Sequence, residues 1–75
     1  MGDIYLIKDL ARSSGFSIYT IKFYLKLGLI KESGRFPETN FRYFDNKTLR
    51  QLIKIQQLRK EKKSLKEIGI ILVGG

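Results

Sequence analysis

The stretch FSIYTIKFYLKLGLI, residues 16–30, decides how this chain folds. It mixes Ile and Leu with tyrosine, phenylalanine and lysine, and a glycine stands near its end. A helix turns about 100° per residue, so its side chains can be placed by number alone. On that projection Ile18, Ile21 and Leu25 share one narrow sector, with Tyr24 at its edge. Tyr19, Lys22, Phe23 and Lys26 occupy the other side. The segment therefore predicts a helix with two faces, one apolar for the core and one outward, both cationic and aromatic. Ser17 is placed to cap it, because a hydroxyl there satisfies a free backbone N–H of the first turn. Gly28 is placed to close it in the left-handed conformation.

Upstream, Ile7, Leu10 and Ala11 fall on one face of a short helix that ends near Ser13–Gly15. Ala11, then Gly15, the Ser17 cap and Ile21 have the spacing of a helix-turn-helix, expected over about residues 6–28. The small Ala11 lets the helices approach, Gly15 takes the tight turn, and Ile21 packs back. In such a unit the second helix enters the major groove of DNA. Lysines there neutralise phosphates, and hydroxyls reach phosphates or base edges. Ala-x3-Gly alone often occurs by chance. The Ser17 cap, the Thr20–Ile21 pair and the segment that follows give it weight.

Downstream the pattern changes. LIKES (residues 29–33) and FRYF (residues 41–44) read as short strands separated by GRFPETN, which holds the only proline. This predicts a hairpin with a turn-rich loop over about residues 29–44. After a helix-turn-helix such a hairpin is a wing. Arg35 lies near its tip and Arg42 on its return strand, suited to the phosphate backbone or the narrow groove. As a loop residue, Arg35 is equally read as a solvated charge. Phe36 and Phe41 read as core or loop anchors before base-stacking platforms, and Tyr5 and Phe44 as core. Asp45 caps a longer helix, about 46–62, with Leu49, Leu52, Ile53 and Ile55 inward and Leu58 further along. SLKE (residues 64–67) is a capping box that opens a last helix, about 65–72, through Leu65, Ile68, Ile71 and Leu72. The expected class is mainly α with a small β-hairpin: a winged helix-turn-helix of four helices, the wing between the second and third, in a single domain.

Composition narrows the function. At 75 residues, such a chain buries only ~60–65% of the surface it exposes when unfolded, so its core is modest. There is no cysteine or histidine. Disulfides and the common zinc sites are excluded, so no metal or other cofactor is expected. A chain without cysteine fits the reducing cytoplasm. Without His or Cys, and with its acids scattered, the chain offers no nucleophile–base pair, and an enzyme is not expected. The net charge of +8 points to a polyanionic partner. Most of the excess lies in residues 46–67, where RKEKK (residues 59–63) reads as a solvated helix end sooner than as a binding segment.

The segments IYLIKDLARSSGFSIYTIKFYLKLGLI, NFRYFD and SLKEI together resemble the DNA-binding domain of the MerR family of bacterial transcriptional regulators. There the recognition helix typically reads Thr-Ile-Arg-Tyr-Tyr-Glu before Gly-Leu; here it is Thr20-Ile21-Lys22-Phe23-Tyr24-Leu25, with Gly28-Leu29 following. The wing typically returns as Tyr-Arg-x-Tyr before a cap; here it is Phe41-Arg42-Tyr43-Phe44-Asp45. The resemblance implies binding to double-stranded promoter DNA as a homodimer. The family often underwinds an overlong spacer so that RNA polymerase can engage. By position Lys22, Tyr24 and Arg42 would inherit phosphate contacts, with Tyr19 and Thr20 facing the groove. Arg59 would add a backbone contact, and Ser17, Phe23, Lys26 and Tyr43 complete the expected surface.

Departures matter as well. Lys22 lacks the bidentate fork of arginine, Phe23 has lost a hydroxyl, and Leu25 replaces an acid. Asn40 stands at a usual glycine of the wing, where it too can take a left-handed turn. Lys62 replaces a glycine between the last two helices. Family members continue into a long dimerisation helix, whereas this sequence stops at Gly75, so by itself it is expected to be monomeric. Two other readings compete: an excisionase-like or phage architectural DNA-binding factor, and a basic module docking on a membrane or protein. Against the last, the cations are spread over two helices and a hairpin rather than along one amphipathic helix.

Overall fold

Two glycines and two caps shape the first half of the molecule. A computed structural model describes residues 3–74. Helix α1 spans Ile7–Ser14 and helix α2 spans Ile18–Leu27. Between them Gly15 sits at φ 81°, a conformation costly for any side chain with a Cβ. Ser17 then accepts the Thr20 amide at 3.1 Å, as its spacing predicted. Gly28, at φ 79°, ends α2 as expected. At the start of α1 no hydroxyl is available, and the carboxylate of Asp9 accepts the Leu6 amide instead.

The wing is a two-stranded antiparallel hairpin, β1 (Gly34–Arg35) and β2 (Arg42–Tyr43), pairing Gly34 with Tyr43 and Arg35 with Arg42. The first strand therefore lies beyond LIKES, which is irregular. The pairing depends on contacts that LIKES does not encode. Asn40, at φ 59°, takes the left-handed turn that closes the loop. The Tyr43 ring covers Gly34 so closely that an added Cβ would lie 2.6 Å from its Cζ. Tyr5 widens the hairpin by pairing with Phe44 through reciprocal 2.8 Å backbone hydrogen bonds. Its hydroxyl reaches Asn46 Oδ1 at 2.7 Å, which ties the N-terminal segment to the next helix.

Helix α3 spans Asn46–Lys60 and helix α4 spans Leu65–Gly74. Asp45 caps α3 through the Thr48 amide. The capping box is reciprocal, with Ser64 and Glu67 each accepting the other's amide at 3.1 Å. α3 stops at Lys60, short of the expected 62, because the chain turns there with Lys62 at φ 63°. Helix α1 packs on α2 and α3, and α4 packs on α3. The buried core joins Leu10, Ile21, Tyr24, Ile30 and Phe44 to Leu52, Ile55, Leu58 and Ile68. Thr48 is buried too, its hydroxyl donating to the Lys31 carbonyl.

Several apolar residues depart from the expected pattern. Ile18, Ile53 and Ile71 lie on exposed surface rather than in the core, and Tyr5 is only half-buried. A chain of 75 residues has too little interior to cover every apolar side chain of four helices. Phe41 is no anchor either: it is 62% exposed on the wing.

Candidate nucleic-acid interface

The outward face of α2 carries the expected side chains. Tyr19 is 82% exposed, and Lys22, Phe23 and Lys26 are exposed beside it. Ser17 and Thr20 are partly committed elsewhere. The Ser17 hydroxyl donates to Thr20 Oγ1 at 3.0 Å, so this pair stiffens the first turn. Lys26 sits in the last turn, where the partial negative charge of the helix end favours a cation.

Tyr24 corrects the sequence reading. It is fully buried, with its ring set edge-on to Phe16 at 5.5 Å between centroids. Its hydroxyl accepts a 2.7 Å hydrogen bond from Arg59 Nη1. The tyrosine therefore belongs to the core and does not present its hydroxyl to a phosphate; the polar tip instead anchors an arginine of α3. Arg59 is exposed, and this bond fixes one end of its guanidinium.

The wing stands next to α2. A groove of about 480 Å³ runs between the start of α1 and the wing, lined by Leu6, Ile7, Lys8, Phe41 and the wing arginines, with Lys22 of α2 also on its wall. Lys22 and Arg42 also line a second groove, toward Lys26 and Lys31. The cations of the helix and those of the wing thus share one concave, basic surface. Tyr43 is half-buried, its ring tilted against Phe36 at 5.0 Å between centroids, and its place is structural as much as surface.

Glu32 is the residue the sequence reading passed over. Its Oε2 lies 3.0 Å from Arg35 Nε and 3.3 Å from Arg42 Nε, so one carboxylate joins both wing arginines. Arg35 is only three residues from Glu32, but that spacing is a pairing signal on a helix and this segment is not helical. The Arg42 half follows from the hairpin register, which places the two arginines opposite each other. Among the described residues no group of His, Cys, Asp and Glu is arranged to hold a metal ion, and no helix is long and apolar enough to cross a membrane.

A helix-turn-helix followed by a basic wing defines a class of winged-helix proteins, and the comparisons with known proteins narrow it. The profile of MerR HTH family regulatory proteins matches residues 5–74, and the chain belongs to that family. The fold is similar to a crystal structure of a MerR family transcriptional regulator from Bacillus cereus, with a TM-score of 0.88 and 27% identity over 95% of this chain and 52% of that one. It is also similar to HiNmlR, a MerR family regulator lacking the sensor domain, solved bound to promoter DNA. There the TM-score is 0.82 and the identity 36%, over 93% of this chain and 52% of that one. The chain thus spans about half the length of either structure. Among curated protein sequences none matches.

Proposed function

We propose that this chain is the DNA-binding module of a MerR-type transcriptional regulator, acting on double-stranded promoter DNA. One observation carries the reading: Lys22 of α2 and Arg42 of the wing line two adjoining grooves, one with Arg35 and the other with Lys26, while Tyr19 stands exposed on the same helix. α2 enters the major groove, with Tyr19 at the base edges and Lys22 and Lys26 on phosphates. The wing arginines take the flanking backbone, and Arg59, held by Tyr24, takes a further phosphate. The likeness to a family member solved on promoter DNA supports this assignment. In the complete regulator two such modules act as a homodimer in the bacterial cytoplasm, and RNA polymerase responds to the shape of the DNA between them.

The test is a salt titration of binding to a promoter-derived duplex. Lys22→Ala is expected to weaken binding to every sequence and to reduce the slope of log K against log salt by about one unit. An unchanged slope would remove Lys22 from the backbone. No binding by the unmodified chain at low salt would remove the function.

A further inference from the structure

The two wing arginines converge on a single oxygen. Arg35 Nε donates to Glu32 Oε2 at 3.0 Å and lies 3.3 Å from Oε1, while Arg42 Nε is 3.3 Å from the same Oε2. Both contacts use Nε, and among the described residues neither arginine makes a hydrogen bond through its terminal amines. Two guanidinium groups aimed at one anionic oxygen is the arrangement that grips a phosphate. The carboxylate is not deeply held: the three side chains are 41%, 43% and 32% exposed for Arg35, Arg42 and Glu32. Ion pairs this exposed are weak and exchange readily for a competing anion. Glu32 also borders the second groove with Lys22, Lys26 and Arg42, so a phosphate replacing it would remain beside the helix cations.

We infer that Arg35 and Arg42 form a clamp for one DNA phosphodiester, and that Glu32 fills that clamp in the free protein as an internal stand-in for the phosphate. Binding then exchanges a carboxylate for a phosphate. Glu32 keeps both guanidinium groups together before DNA arrives and subtracts from affinity when it does. The inference rests on the DNA-binding reading above and adds a residue that opposes binding.

The experiment measures duplex binding as salt is varied for the parent 75-residue chain, for Glu32→Gln, for Glu38→Gln, and for Arg35→Ala/Arg42→Ala with and without Glu32→Gln. Glu38, exposed in the wing loop and unpaired with any cation among the described residues, is the control for loss of a negative charge alone. Glu32→Gln is expected to bind roughly two- to tenfold tighter, the range set by two exposed ion pairs of ordinary strength, with a steeper salt dependence. Glu38→Gln should change affinity less, and the gain from Glu32→Gln should largely vanish when both arginines are alanine. Weaker or unchanged binding by Glu32→Gln would overturn the inference, leaving the carboxylate a support for the arginines. Equal gains from Glu32→Gln and Glu38→Gln would reduce it to net charge. If the double alanine variant binds like the parent, the wing makes no clamp. These failures all leave DNA binding standing; only loss of binding by the parent chain would remove both readings.

Discussion

At the scale of single residues, Tyr24 shows how one side chain can serve core and surface together. Its ring fills the interior, while its hydroxyl holds Arg59 from a position 35 residues away in sequence. Removing only the hydroxyl should cost about 1 kcal/mol, because the arginine regains water when its partner is lost. Removing the ring should cost roughly 3–5 kcal/mol, the usual range for a large aromatic deleted from a core. Tyr24→Phe and Arg59→Ala should therefore be non-additive in urea denaturation, the second adding little to the first. Additive losses would show that the 2.7 Å bond contributes nothing to the fold. The helical projection put Tyr24 at the edge of the buried sector, and burial there was half-legible. Its pairing with Arg59 was not, since no local spacing connects residues on different helices. Glu32 was hidden for a related reason: half its bridge depends on the hairpin register.

Elements differ in how far their own residues dictate them. α1, the turn and α2 were readable because Gly15, Ser17 and Gly28 act within a few residues of where they stand. β1 was not, because its position follows from the Tyr43 ring lying over Gly34. Strands this short carry little stability alone, so that packing contact decides the register. Gly34→Ala should push Tyr43 off its seat against Phe36 and destabilise the protein by about 1–3 kcal/mol. Amide exchange in the wing should accelerate more than exchange in α3. Unchanged protection at Phe36, whose amide bonds the Phe41 carbonyl, would refute this. At α4 the local signal is again sufficient, and it predicts a pH response. The Ser64 amide, then its hydroxyl, holds the Glu67 carboxyl below the ordinary glutamate range, with Lys63 adding a smaller pull. A carboxyl with a depressed folded pKa stabilises above its unfolded value and loses that contribution as pH falls through the folded one. The first turn of α4 should thus loosen only in acid, below the usual glutamate pKa of about 4.3. Amide exchange at Glu67 followed against pH should show the change, and Glu67→Gln should abolish it.

For the molecule as a whole, charge and valence set the behaviour in solution. The described residues contain one helix-turn-helix and one wing, so on the proposed function we expect the chain to engage one half-site. Its net charge of +8 makes that engagement dependent on salt. Exposed apolar side chains do remain on α4, where Val73 is 89% exposed and Ile70 is exposed one turn before it. Among the described residues they make a poor coiled-coil seam, because α4 contains Gly69 and Gly74, each costly within a helix. We therefore expect the 75-residue chain to sediment as a monomer in dilute solution and to bind one half-site weakly. Fusing a two-stranded coiled coil after Gly75 should join two such modules in one molecule. Joining two weak modules raises avidity by about 10²–10⁴-fold with no new contact, provided that the geometry permits both to bind. A palindrome with half-sites one helical turn apart, roughly 34–36 Å, should show that gain. Moving one half-site by half a turn places it on the opposite side of the duplex and should remove most of the gain. A tight dimer of the unfused chain in sedimentation would overturn this expectation. Equal affinity of the fusion for both spacings would mean that the linker, rather than the fold, sets the register.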